Sequence, residues 1–170
     1  MPKRKLSHYT TRGEVSMVDV SSKAITTRTA IAHAFVCMPP RVLRAVRSFK
    51  NPKGHPLEVA RIAGIAAAKR TSEWIPLCHP LPITHIDVTP RVCKDGVELT
   101  SKVTATAQTG VEMEALVAVT CAALAVYDMC KALDKGIEIT DVYLLEKTGG
   151  KSGDYRRPNA KGTRSRRTIG

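Results

Sequence analysis

Ile86-Asp87-Val88-Thr89-Pro90-Arg91-Val92-Cys93-Lys94-Asp95-Gly96-Val97-Glu98-Leu99-Thr100-Ser101-Lys102-Val103-Thr104-Ala105 is the stretch that decides the fold class. Ile86, Val88 and Val92 alternate with polar neighbours, and beyond Lys94-Asp95-Gly96 the positions Val97, Leu99, Val103 and Ala105 alternate again. Successive side chains of a strand point to opposite faces, so the pattern predicts two half-buried strands joined as an antiparallel hairpin. Upstream, Leu57, Val59, Ala60, Ile62, Ala63, Ile65 and Ala66 recur at three- and four-residue steps, which predicts a helix over residues 57–74. Pro76, Pro80 and Pro82 stop it and make residues 75–80 a stiffened loop. Downstream, residues 112–133 are apolar on nearly every side, which predicts a helix buried deep in a core or between subunits. Gly136 suits its end, and Ile137, Ile139, Val142 and Leu144 predict a further strand running into Lys147-Thr148-Gly149-Gly150-Lys151-Ser152-Gly153. Apolar runs at residues 15–20 and 31–38 predict additional strands, and residues 40–49 another helix. Hairpin strands with helices between them predict an α+β fold: a mainly antiparallel sheet with helices packed on one face, a ferredoxin-like sandwich.

The 170 residues fit one domain with a sizeable core. The formal charge of +12 suggests nucleic acid at first, but it is concentrated at the ends. Residues 1–12 carry Lys3, Arg4, Lys5 and Arg12, residues 155–170 carry Arg156, Arg157, Lys161, Arg164, Arg166 and Arg167, and neither stretch has an acid. The middle is left with about +2. The expected organisation is a basic tail over residues 1–12, a single α+β domain over 13–157 and a disordered basic tail over 158–170. Two phenylalanines and one tryptophan supply few stacking platforms for RNA, so nucleic acid is not the expected partner. Cys37, Cys78, Cys93, Cys121 and Cys130 are an odd set without C-x-x-C spacing, which predicts reduced, structural thiols and no metal site. No secretory leader pattern opens the chain, and the longest apolar stretch, residues 115–127, is too short to cross a bilayer. The expected location is the cytoplasm.

Glu112, Glu114, Asp128 and Lys131 interrupt the apolar helix and need partners, because a buried unpaired charge costs several kcal/mol. At 100° per residue Glu114, Asp128 and Lys131 fall within roughly a 100° sector. They form paired structural charges, a polar interface or an active site; Asp128 and Lys131, one turn apart, suit a simple structural pair as well. His79, in the proline-stiffened loop, is either an oriented binding or acid-base group or a satisfied half-buried ring. The Gly-Lys-Ser of residues 150–152 invites a phosphate-loop reading, yet Leu145 stands where that pattern needs glycine, and no helix should follow Ser152. Lys147, Lys151 and the backbone amides either contact phosphate or belong to a flexible glycine loop.

Six blocks, in order, carry a resemblance: Met17-Val18-Asp19-Val20, Ala63-Gly64-Ile65-Ala66-Ala67-Ala68-Lys69-Arg70-Thr71, Ile75-Pro76-Leu77-Cys78-His79-Pro80-Leu81, Gly110-Val111-Glu112-Met113-Glu114-Ala115-Leu116, Val126-Tyr127-Asp128-Met129-Cys130-Lys131-Ala132 and Gly149-Gly150-Lys151-Ser152-Gly153-Asp154. Together they resemble the MoaC family, the cyclic pyranopterin monophosphate synthases of molybdenum cofactor biosynthesis. The resemblance implies a lyase that takes 3′,8-cyclo-7,8-dihydro-GTP, the product of a partner radical enzyme, to cyclic pyranopterin monophosphate and pyrophosphate. It implies no cofactor, although a divalent cation could accompany the triphosphate. Carried over by motif, Asp128 and Lys131 become the acid-base pair, with His79 and Lys53 beside them. A Lys131 pKa lowered toward neutrality by desolvation would suit that role. Leu77, Cys78, His79, Met113 and Glu114 would line the substrate pocket, Glu112 would support it, and Arg28, Lys69, Lys147 and Lys151 would contact phosphates. The family pattern Lys-Gly-Asp reads Lys53-Gly54-His55-Pro56 in this chain, so the backbone after the lysine is expected to run differently. The resemblance also implies a homo-oligomer, a hexamer built from dimers, with active sites between subunits. Two other classes compete with it. A basic RNA-binding module would bind through its tails in a salt-sensitive way, and a non-catalytic oligomeric scaffold would use Asp128 and Lys131 for assembly.

Overall fold

The computed structural model describes Tyr9 and residues 12–48 and 50–158. The two basic tails expected at 1–12 and 158–170 lie almost wholly outside the described residues, as does Phe49 of the expected helix over 40–49. Five strands, β1 (Thr26–Cys37), β2 (Ile83–Val92), β3 (Gly96–Ala107), β4 (Glu138–Thr148) and β5 (Tyr155–Arg156), form one sheet in the order β2-β3-β1-β4-β5, every neighbouring pair antiparallel. The helices are α1 (Pro40–Arg47), α2 (Pro56–Ala68), α3 (Thr71–Trp74) and α4 (Glu112–Cys130). Without α1, α3 and β5 the chain reads β-α-β-β-α-β with β3 inserted between the parallel strands β1 and β2. That is the ferredoxin-like arrangement the sequence pattern predicts.

The hairpin forms where the alternation places it, with Val92 opposite Val97 and the turn closed by the Cys93 amide donating to the Gly96 carbonyl (2.8 Å). One face of the sheet is buried by period-two side chains: Ala30, Ala32, Ala34 and Val36 on β1, Val97, Leu99, Val103 and Ala105 on β3. Against them pack Ala115, Ala118, Val119, Ala122 and Val126 of α4, and beside α4 lies α2 with Ala60 and Gly64. Each fully buried Val or Leu contributes roughly 1.5–3 kcal/mol. Small residues let the two helices approach closely, and Gly64 is required, because a Cβ there would stand 2.8 Å from the Ala118 carbonyl oxygen.

Four expectations need correction. The helix predicted over 57–74 is two helices, because the Thr71 hydroxyl donates to the Ala68 carbonyl (3.0 Å) and the chain turns at Lys69-Arg70. Residues 15–20 form no strand; Val15 makes an isolated bridge to Tyr9, and both edges of β1 are already occupied by β3 and β4. In β4 the inward phase shifts from Ile137 and Ile139 to Leu144, because a bulge with Asp141 at φ 56 lies opposite β1. Finally, the apolar stretch of residues 115–127, expected to be too short to cross a bilayer, lies within α4, whose 19 residues are long and apolar enough to cross a membrane by length and composition. Half of that span is packed inside the fold, as in the core helix of a sandwich.

Candidate active site

The Asp19 carboxylate accepts from the Ser21 amide (2.9 Å) and hydroxyl, and the Lys23 amide donates to the Val20 carbonyl (2.9 Å). This turn lays residues 17–23 over the N-terminal end of α4. There Val18, Val20 and Lys23 enclose a hollow of about 370 Å³ with Leu77, Cys78, His79, Leu81, Thr109, Gly110, Glu112, Met113 and Glu114. The proline-stiffened loop is thus set against the first turn of α4. His79 and Leu81 also line an adjoining hollow of about 280 Å³ with Pro80, Pro82 and Gln108.

Glu114 is the chemically distinctive group here. Its side chain is in the first turn of α4, where the helix dipole favours a carboxylate, yet the residue is only 3% exposed. Burial, reinforced by the neighbouring charge of Glu112, pushes its pKa up to about 6, against the hydrogen bond its carboxylate takes from its own amide. Burial, with the charge of Glu114 added, likewise pushes the Cys78 thiol up, so it is a protonated thiol at neutral pH.

Lys23, Thr109, Gly110 and Glu112 also line a second hollow of about 480 Å³, completed by Thr26, Arg28, Lys147, Gly150, Lys151 and Ser152. Four cations face one carboxylate there. Arg28 is fixed by donating from Nε to the Ala107 carbonyl (2.9 Å) and from Nη2 to the Gln108 carbonyl (3.1 Å). Its guanidinium occupies the space a Cβ on Gly150 would need. Gly149, Gly150 and Gly153 have φ of 86°, 85° and 72°, and the Gly149 amide donates to Asp154 (3.1 Å), so the glycine loop is a built turn. The two hollows form one trough, with a carboxylate–imidazole–thiol end and a polycationic end.

A third cluster lies elsewhere. At the C-terminal end of α4 the Asp128 carboxylate pairs with Lys131 (2.7 Å) and Lys53 (3.1 Å), and the Lys53 ammonium also donates to the Asp128 carbonyl (3.0 Å). Asp128 lies fourteen residues from Glu114, roughly 21 Å along the helix. None of the three lines the trough. Lys69 is also apart, beside Ile62, Ile65, Ala66 and Arg70 on the outer face of α2.

The family model described as "MoaC family" matches residues 17–150. The chain belongs to the MoaC family. It is 55% identical over 151 residues to the cyclic pyranopterin monophosphate synthase of Deinococcus radiodurans, covering 89% of each chain. It is 53% identical over 156 residues to that of Streptomyces coelicolor, covering 92% of each. To that of Parvibaculum lavamentivorans it is 51% identical over 158 residues, covering 92% of this chain and 99% of the relative.

Within this MoaC-family fold, the sequence-predicted residues fall into groups. Leu77, Cys78, His79, Glu112, Met113 and Glu114 meet in one hollow, and Arg28, Lys147 and Lys151 meet in the next. Lys53 meets Asp128 and Lys131 despite the His55-Pro56 departure. The reason is local. The Asn51 side chain accepts from the Lys53 amide (2.9 Å) and donates to Cys130 Sγ (3.4 Å), Gly54 turns at φ 98, and His55 caps α2 by accepting from the Glu58 amide (3.3 Å). An aspartate would cap a helix the same way. The lowered Lys131 pKa that would suit an acid-base role is not favoured in the single chain: Lys131 is solvent-exposed, and its hydrogen bond to Asp128 raises its pKa, while the lysines hold the Asp128 carboxyl below its usual range. Lys23, Thr109 and Asn51 were missed. Lys23 and Asn51 bear no periodicity or spacing signal, and only the folded turns bring them to the site.

Proposed function

We propose that this chain is a cyclic pyranopterin monophosphate synthase of molybdenum cofactor biosynthesis. As a lyase it converts (8S)-3′,8-cyclo-7,8-dihydroguanosine 5′-triphosphate, supplied by a radical enzyme, to cyclic pyranopterin monophosphate and pyrophosphate. The observation that carries this reading is the trough in which a basic hollow of Lys23, Arg28, Lys147 and Lys151 opens beside Cys78, His79 and the buried Glu114, in a chain of this family. The basic end suits a triphosphate; the other end suits a ring system whose opening and closing move protons. A sugar hydroxyl forms the new bond to the α-phosphorus as the bond to the departing pyrophosphate breaks, and its proton passes to a base. Cations against the leaving oxygens stabilise the charge that develops there. Glu114, with its pKa near 6, suits proton exchange near neutrality, whereas Lys131 enters as an ammonium and acts as proton donor, oriented by Asp128.

The Lys53–Asp128–Lys131 cluster joins the trough from a second copy of the chain. Beyond the distance along α4, the outer faces of α2 and α4 support this assembly, since Ile62 is 66% and Leu124 50% exposed, with Val59 and Met113 also uncovered. An isologous pairing that crosses the two α4 helices covers these side chains and completes two sites; dimers of this kind build a hexamer. Lys69 reaches the phosphates from another copy as well. Five free cysteines suit a reducing compartment, the cytoplasm. The protein works without a cofactor, with small-molecule substrate and its own copies as partners. Incubating the purified protein with the cyclic dihydro-GTP and following pyrophosphate and cyclic pterin tests the function. Absence of both from a folded oligomer refutes it.

A further inference from the structure

We infer that Glu112 is an internal counter-anion that occupies the phosphate-binding position at Lys147 until an anionic ligand displaces it. The inference deepens the phosphate reading of the basic hollow and rests on it. Among the described residues lining that hollow, Glu112 is the only carboxylate, and its Oε1 lies 3.4 Å from Lys147 Nζ. Its side chain is folded back over Gly110, where a Cβ would collide with the carboxylate. Glycine at 110 leaves this space open, so Glu112 can lie there and reach across the trough. A carboxylate and a phosphate oxygen compete for the same ammonium, and both partners of this pair are less than one-third exposed, so the competition is felt rather than screened.

Glu112 also lines the hollow that holds Glu114 and adds to the burial that keeps Glu114 protonated to higher pH. The groups facing Glu114 are Cys78 and His79 from the proline loop, Lys23 from the preceding turn and Glu112 from its own helix. Displacing Glu112 from Lys147 leaves its negative charge without its cation beside Glu114. Arrival of the phosphates at one end of the trough thereby favours a protonated Glu114 at the other. Glu112 acts through Lys147 and Glu114 and is a positioning residue.

The test uses the full-length oligomer and inorganic pyrophosphate as probe, titrated calorimetrically against wild type, Glu112→Gln, Lys147→Gln and the double variant. Gln keeps the shape of Glu112 and removes the charge, so Glu112→Gln should bind pyrophosphate about three- to tenfold more tightly. The gain should disappear when Lys147→Gln is already present. The acid limb of the kcat pH profile should move to lower pH in Glu112→Gln, because a negative neighbour that raises the Glu114 pKa is gone. A Glu112 that only braces the loop would leave affinity unchanged or weakened and the pH limb in place, and that result overturns the inference. Absence of pyrophosphate binding to wild type would instead refute the phosphate reading together with the inference. Binding without the Glu112→Gln gain refutes the displacement alone.

Discussion

Glu114 and Asp128 stand near opposite ends of one continuous helix, so the shared-site model makes a quantitative prediction for mixed oligomers. Fourteen residues at 1.5 Å each separate them by roughly 21 Å, longer than the reach of two side chains toward one reacting centre. Two helices crossing antiparallel bring the Glu114 end of one against the Asp128 end of the other. Glu114→Ala and Asp128→Ala chains should each be inactive alone. Mixed in equal amounts with free subunit exchange, half of the dimers contain one chain of each kind. Such a dimer has one site with both substitutions and one with neither. Since half of the dimers are mixed and half of the sites in each are intact, activity per chain should recover to about a quarter of wild type. Pyrophosphate release is the assay, and differential tagging with native mass spectrometry verifies the exchange. Verified mixed dimers as inactive as their parents would refute the model and place both residues in separate functions within one chain.

Lys131→Ala should lower kcat by about 10²–10⁴ with KM little changed, read by steady-state kinetics; an effect confined to KM would remove it from proton transfer. The folded pKa of Glu114, about 6, lies above the ordinary 4.5, so the folded chain binds an extra proton between those values, and stability falls as pH rises through that window. Glu114→Gln should therefore abolish turnover yet raise stability in urea melts above pH 6 by up to about 2 kcal/mol, with the gain vanishing below about pH 4.5. Gly64→Ala should destabilise by roughly 1–3 kcal/mol, because its Cβ meets the Ala118 carbonyl at 2.8 Å and Ala122 at 3.3 Å; unchanged melting would refute the close helix contact. His55→Ala should lose about 0.5–2 kcal/mol in the same melts while His55→Asp does not, since the aspartate restores an acceptor for the Glu58 amide.

Period and spacing disclose elements more readily than ends. The β2–β3 hairpin is legible because a half-buried strand cannot shift by one residue without turning its apolar face to water. The break at Lys69-Arg70 is not, because those residues continue a helical pattern and only the Thr71 hydroxyl ends it. Site residues contiguous in sequence, such as Leu77-Cys78-His79 and Glu112-Met113-Glu114, could be read from local motifs. Lys53 and Asp128 are 75 positions apart, and their meeting depends on Asn51 anchoring a turn to Cys130. The direction of the Lys131 pKa is not legible for a related reason. Its direction depends on the separation from Asp128 and on exposure, and neither is written in the chain.

The sheet covers one side of α4 and α2 packs along another, yet Met113 and Leu124, surfaces the proposed second copy would cover, stay exposed on this apolar helix. Its two ends carry the charges, buried Glu114 at one and the half-exposed Asp128–Lys131 pair at the other. Crossing two such helices antiparallel buries their apolar middles and sets unlike charged ends together, so one interface serves both stability and chemistry. Water around Asp128 and Lys131 in the single chain screens their fields, and in the proposed dimer a covering subunit would remove that water and strengthen them. On the proposed pairing, the apolar length of α4 and the separation of its charges follow from one arrangement, a reaction site shared between two chains.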